Sequence, residues 1–184
     1  MHERMIVNLG TMKMKMTTRL AAAAAVLVSF AGAVKADTIV GIAAADARFS
    51  TLVAAVTAAG LAETLSGPGP FTVYAPVNEA FAALPAGTVD TLLLPENKDQ
   101  LTNVLLNHVD DRRLLAGDFP SGSNYFRPVL ADSRLCITSS AAGVTIGDGT
   151  GELATVVIAD IIADNGVIHV IDKVLLPGTR PACH

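Results

Sequence analysis

Apolar positions follow two regimes along the chain, and the change comes near Asp110. Before it the spacing is helical. Phe49, Leu52, Val53 and Val56 fall on one face of a helix, with Asp46 placed to cap its start and Gly60 to end it in a left-handed conformation. Leu61 to Leu65 reads as a second short helix, and Ser66-Gly67-Pro68-Gly69-Pro70 breaks all regular structure. Phe71-Thr72-Val73-Tyr74 predicts a strand stopped by Pro76, followed by a short helix from Asn78 to Ala83 that Asn78 is suited to cap. Two more helices are predicted, Thr88 to Leu94 and Asp99 to His108, the second with Leu101, Val104, Leu105 and His108 on its apolar face.

After Asp110 the period shortens to two. Leu135 and Ile137 alternate around Cys136, and Val144 and Ile146 alternate between Gly143 and Gly147. Leu153 to Ile158 and Val167 to Leu176 are β-branched runs, the second of them a single long strand on this reading. Asn165-Gly166 is a two-residue hairpin signal joining a strand that ends near Ile162 to one that starts at Val167. In that last strand Val167, His169 and Ile171 share one face and Ile168, Val170 and Val174 the other. Helices first and strands second predict an α+β fold, with helices packed against an antiparallel sheet system. There is no internal repeat.

The extreme amino terminus belongs to neither regime. Lys13, Lys15 and Arg19 precede an uncharged run from Leu20 to Val34, and Val34-Lys35-Ala36 then offers small residues before Asp37. This is the layout of a secretory signal peptide, residues 1–36, with cleavage at Ala36 or Ala33. The run is short for a membrane anchor, which needs about 20 residues. Met12, Met14 and Met16 are alternative starts for such a peptide. The expected domain is residues 37–177, followed by a tail, residues 178–184.

Composition supports a packed core, because 51% of the chain is apolar and 16% charged. Aromatic residues are 4% and tryptophan is absent, so the core must be aliphatic. Residues 37–184 hold 8 basic and 16 acidic residues, a net charge of −8. Such a surface repels phosphate, which argues against nucleic acid and against anionic membranes as partners. The two cysteines, Cys136 and Cys183, suit a disulfide in an exported protein; the alternative is two independent thiols.

Two blocks then carry a family resemblance. Phe71-Thr72-Val73-Tyr74-Ala75-Pro76-Val77-Asn78-Glu79-Ala80-Phe81 resembles the first signature block of fasciclin domains. Asn165-Gly166-Val167-Ile168-His169-Val170-Ile171-Asp172-Lys173-Val174-Leu175-Leu176-Pro177 resembles the second. Between them, Leu105-Leu106-Asn107-His108-Val109 is similar to the family's Tyr-His segment, with Asn107 in place of the Tyr. Val77 stands where the family usually has Thr. The resemblance implies a wedge of two β-sheets decorated by helices. It also implies a role in cell adhesion or matrix attachment through a protein or cell-surface partner, without catalysis, cofactor or metal.

The candidate binding residues follow from the same source. The resemblance links Asn107 and His108 to adhesion, although a lone His on an apolar helix face is more often a packed, hydrogen-bonded core residue. Asp160-Ile161 matches an Asp-Ile pair implicated in integrin recognition by vertebrate matrix relatives, where a carboxylate meets a metal ion. Locally, Asp160 reads as an exposed strand-end residue, while Ile158, Ile161 and Ile162 all want burial. No Gly-x-Ser-x-Gly, His-Glu-x-x-His or Walker loop is present. Gly147-Asp148-Gly149-Thr150-Gly151-Glu152 lacks the ligand spacing of a calcium loop and reads as a turn. Two other functions stay open at this point: a secreted carrier of a small apolar ligand, which needs a cavity of several hundred Å³, and a secreted hydrolase, which needs convergent polar groups in a cleft.

Overall fold

A computed structural model describes residues 37–184, and the expected signal peptide, residues 1–36, lies outside the described residues. The chain begins with α1 (Ile39–Ala45), a helix beyond the sequence reading; it buries only Ile39 and Ala43, too few positions to mark a face. Thr38 caps it by accepting the Gly41 N–H at 3.2 Å. A short 3-10 turn, Ala47–Phe49, leads into α2 (Ser50–Ala59), which ends at Gly60 with φ 76°. Then follow α3 (Ala62–Ser66), β1 (Phe71–Pro76), α4 (Asn78–Ala82), α5 (Thr88–Leu92) and α6 (Lys98–Leu106).

Asn78 does not cap α4. It is the first residue of that helix, and Val77 before it supplies no side-chain cap. The Asn78 carboxamide turns back to α2 instead. Its Oδ1 accepts the Thr51 N–H at 3.0 Å and its Nδ2 donates to the Ala47 carbonyl at 2.9 Å. One side chain therefore satisfies the start of a helix 27 residues earlier and ties it to the end of β1.

The remaining strands are β2 (Val109–Asp110), β3 (Gly122–Phe126), β4 (Leu135–Ser140), β5 (Gly143–Gly147), β6 (Leu153–Ala163) and β7 (Gly166–Ile171). They form one seven-stranded sheet in the order β2-β1-β7-β6-β5-β4-β3. Only β1 and β7 run parallel; the other neighbours are antiparallel. The strand pairing thus corrects the expected division into two sheets. The cause is β6, which is 11 residues long. Its first residues pair with β5 and the rest with β7, so it joins what would be two sheets. Two register shifts, between Val156 and Ile158 and between Ile158 and Ile161, bend it on the way.

Two apolar cores lie on opposite faces of β1 and β7. Val73, Ala75, Ile168 and Val170 pack with the helices, among them Phe49, Leu52, Leu101 and Leu105. Tyr74 and Ile171 face the other way, into Leu135, Ile137, Val144 and Ile146 of β4 and β5. Every residue of β7 is buried as a result. The expected alternation of its faces holds, but both faces are inside.

The two-residue loop of the β6–β7 hairpin lies one residue earlier than the Asn165-Gly166 signal implied. Ala163 pairs with Gly166, so Asp164 and Asn165 form the loop, and neither has positive φ. Gly166 is required by proximity: a Cβ there would overlap the Phe71 carbonyl oxygen of β1. Asn165 serves through its side chain, accepting the Ile39 N–H at 2.9 Å and donating to the Leu65 and Gly67 carbonyls at 2.8 and 2.9 Å.

Strand β7 stops at Ile171, not at Leu176 as the apolar run suggested. Beyond it the backbone is held by side chains. His108 Nε2 accepts the Leu175 N–H, and Asp148 Oδ2 accepts the Leu176 N–H, each at 2.8 Å. The tail is held further on. Cys136 and Cys183 form a disulfide, Tyr125 donates its hydroxyl to the Pro181 carbonyl at 2.9 Å, and the Arg180 guanidinium lies 4.1 Å from the Tyr125 ring centroid.

Two outcomes are expected from these contacts. Asn78→Ala strips three contacts from the start of α2 and lowers stability by about 1–2 kcal/mol, read as a shift in urea midpoint. The disulfide closes a segment with a sequence separation of 47. Loop-closure entropy sets an upper figure of about 4 kcal/mol. Cys183→Ser is therefore expected to lower the thermal midpoint, as is reduction of the wild-type chain. Mass spectrometry of the oxidised protein should find no free thiol.

Candidate functional site

The site begins where α6 ends. His108 sits past the last turn of α6 with 2% of its surface exposed, and Asn107 beside it is fully buried. Both act on Leu175. The Asn107 Nδ2 donates to the Leu175 carbonyl at 3.2 Å, while His108 Nε2 accepts the Leu175 N–H. Ser133 Oγ donates to Asn107 Oδ1 at 2.5 Å, which fixes the carboxamide orientation. The other ring nitrogen of His108, Nδ1, lies 2.7 Å from the Val104 carbonyl. A carbonyl can only accept and an N–H can only donate, so these partners require the neutral ring protonated on Nδ1. Burial opposes the charged form and pushes the His108 pKa down to about 4.

His169 of β7 repeats this arrangement with the opposite tautomer. Its Nε2 lies 2.8 Å from the Leu114 carbonyl, and its Nδ1 accepts the Asp160 N–H at 3.3 Å. The proton therefore sits on Nε2. The side chain is fully buried, and burial lowers its pKa below the usual value for histidine. Tyr74 of β1 connects the two histidines. Its N–H donates to the His108 carbonyl at 2.8 Å, and its ring stacks on His169 with centroids 5.8 Å apart.

Asp160 lies where this buried network reaches the surface. It falls within the second register shift of β6 and has φ 59°, the one non-glycine residue with positive φ among the described residues. Its side chain is 41% exposed. Oδ1 accepts the Ala116 N–H at 2.8 Å and lies 4.0 Å from His169 Nδ1. The segment that supplies both Leu114 and Ala116 is fixed by buried groups that sequence reasoning passed over. Thr72 Oγ1 donates to the Arg112 carbonyl and accepts the Leu114 N–H, at 2.6 and 2.8 Å. Asp110, 1% exposed, holds the Arg112 guanidinium at 2.6 and 2.7 Å. Thr72 stood inside the first signature block, but nothing local marked it as more than a strand residue.

Ile161 packs partly buried against the helical core, opposite Ile168. Ile158 and Ile162, expected inside, are exposed by 39% and 52%, and Val157 by 53%. The bulges reverse their facing. From Val157 to Ala163, β6 pairs with β7 alone, since its pairing with β5 ends at Thr155. The predicted site residues thus separate. Asp160 is at the surface, Ile161 is partly buried, and Asn107 and His108 are core residues, with Tyr74 and His169 between His108 and that surface.

The model of the fasciclin domain matches residues 47–177. This chain belongs to the fasciclin domain family. It is 50% identical over 153 residues to Protein sll1483 of Synechocystis sp., covering 82% of this chain and 79% of that protein. It is 41% identical over 140 residues to the transforming growth factor-beta-induced protein ig-h3 of Sus scrofa, covering 76% of this chain but only 19% of that protein. The immunogenic protein MPB70 of Mycobacterium bovis is 33% identical over 118 residues, covering 64% of this chain and 54% of that one. Among solved structures, a FAS1 domain pair from the insect cell adhesion molecule fasciclin I superposes with a TM-score of 0.65 at 20% identity. That superposition covers 76% of this chain and 51% of the pair, so the fasciclin domain here spans about half of it.

The buried histidines set a pH dependence for this fasciclin domain. His108 titrates near 4 when folded, against an ordinary value of 6.5. Between those values the unfolded chain binds a proton that the folded chain refuses. Stability is therefore complete above about pH 6.5 and declines as pH falls toward 4, by on the order of 3 kcal/mol from His108. His169 acts in the same direction. Urea midpoints measured from pH 8 to pH 4.5 should be flat and then fall. His108→Ala, which leaves the Leu175 N–H and the Val104 carbonyl unpaired, should cost about 1–3 kcal/mol at pH 7 and make the acid decline shallower.

Proposed function

We propose that this fasciclin-domain protein is an exported adhesion module that binds a protein or cell-surface partner through the β6 bulge at Asp160, without catalysis or cofactor. The observation that carries this reading is the conformation of Asp160. A left-handed backbone costs an ordinary residue about 1–2 kcal/mol, less for Asp than for most. Such outliers persist where the surrounding structure over-determines them, and they cluster at functional sites. The carboxylate is 41% exposed, on the same stretch of β6 as the exposed residues Val157, Ile158 and Ile162. An exposed carboxylate on a strand segment with exposed aliphatic residues suits a partner segment that offers aliphatic side chains and a cation.

Support from relatives is of one kind: the insect protein whose domain pair shares the fold is described as a cell adhesion molecule. Neither alternative function gains support. The cavities in the helical core, about 30 and 20 Å³, are the size of a single water and not of an apolar ligand. Asn107 and His108 enter this reading as supports, because their side chains hold the core against which β1 and β7 are built.

Adhesion to extracts of the organism's own surface, measured beside the unfolding midpoint, tests the reading. Asp160→Asn should reduce adhesion with little change in midpoint, and the wild-type interaction should weaken with added salt. Ile161→Ala should lower the midpoint and reduce adhesion only in proportion. Unchanged adhesion in Asp160→Asn would remove the carboxylate from the site.

A further inference from the structure

Resting on Asp160 as the contact residue, we propose that His169 is the positioning residue of this surface, and that protonation of His169 releases the β6 bulge so that the adhesive face is formed at neutral pH and lost in acid. The geometry carries it. In the neutral ring, Nδ1 is an acceptor and receives the Asp160 N–H at 3.3 Å. That bond holds the residue with positive φ, while the Asp160 carboxylate holds the other side of the bulge by accepting the Ala116 N–H. A proton added to the ring can only go to Nδ1, because Nε2 already donates to Leu114. Two donors, the Asp160 N–H and the new Nδ1–H, then face each other. Asp160 Oδ1, 4.0 Å away, is a charged acceptor for the ring proton and the same oxygen that holds Ala116. Protonation therefore breaks the hydrogen bond from the Asp160 N–H and draws the carboxylate inward, off Ala116 and away from the surface.

Few groups face His169. From β6 there is the Asp160 carboxylate. From β1 there is the Tyr74 phenol, whose pKa burial and the Asp110 charge raise well above its ordinary value, so it stays neutral. From the segment after β2 there are the Leu114 carbonyl and the Phe119 ring, which do not titrate. The Asp110–Arg112 ion pair acts on Tyr74 and is already satisfied within itself. Burial makes the ring resist the proton, so the release falls on the acid side of the ordinary histidine range.

The test needs no partner. Amide resonances of ¹⁵N-labelled protein are followed from pH 8 to pH 4.5, beside the His169 ring. The Asp160 and Ala116 amides should shift together, with the midpoint of His169 and below 6.5, while His108 still resists titration. His169→Asn places an amide oxygen where Nδ1 accepts, and should keep the Asp160 bond while abolishing that shared midpoint. His169→Gln keeps a donor for Leu114 and should disturb the Asp160 amide at every pH. The proposal is overturned if the Asp160 amide titrates identically in His169→Asn, because it then follows its own carboxylate. It is also overturned if neither amide moves until the chain unfolds. Adhesion is the separate arm: it should fall in acid for wild type and persist for His169→Asn. Coupled amide shifts with adhesion indifferent to Asp160→Asn would keep the switch and sink the contact reading.

Discussion

Strand β7 has both faces buried, and each polar atom it brings inside must therefore find a partner inside. An unpaired buried donor or acceptor costs about 1–3 kcal/mol, a large share of a domain's net stability. Much of the local chemistry answers this demand. His169 takes the Leu114 carbonyl on one side and the Asp160 N–H on the other. Asn165, entering the strand, spends its carboxamide on α1 and on the end of α3. Gly166 leaves room for β1 to approach. Past the strand, the Leu175 and Leu176 amides are taken by His108 and Asp148.

The same demand explains why both histidines are neutral. Each bridges a backbone donor and a backbone acceptor, a role a protonated ring cannot fill. They differ in where the bridge leads. His108 links α6 to Leu175, with both ends in the core, so its titration is a matter of stability. His169 links the core to Asp160, whose carboxylate is exposed. The bulge is thus the element that joins the buried ring to the β6 surface.

Long β6 also gives the domain its sheet. By pairing with β5 along its start and β7 along its remainder, it lets β3, β4 and β5 cover the Tyr74 and Ile171 side of the central strands while the helices cover the other. The bulges that bend β6 leave Val157, Ile158 and Ile162 in solvent beside a strand edge with no further neighbour among the described residues. Edges of this kind are usually protected by bulges and charge. Here the bulge and the charge coincide at Asp160, so one feature supplies both kinds of protection from indiscriminate pairing.

Periodicity and turn residues determined the helical first half, the strands of the second, the ending of α2 at Gly60 and, to within one residue, the β6–β7 hairpin, because these depend on near neighbours. The two signature blocks marked the family, and His108 read as a core residue because it completed an apolar helix face. The Cys136–Cys183 bridge was legible only as one of two alternatives. Tertiary structure decided what depends on distant partners. Asn78, locally a cap for α4, caps α2 because that helix start lies within its reach. The apolar run after Gly166 ends as a strand at Ile171 because side chains from α6 and the β5–β6 turn claim its amides. The two expected sheets became one because β6 is long enough to pair on both sides. Ile158 and Ile162 are outside and Ile161 partly inside because register shifts reset the alternation, which a count of two cannot anticipate. The hold of His169 on Asp160 was invisible for the same reason: it joins residues whose positions are set by the bulge and by the folding of the Leu114 segment over β7.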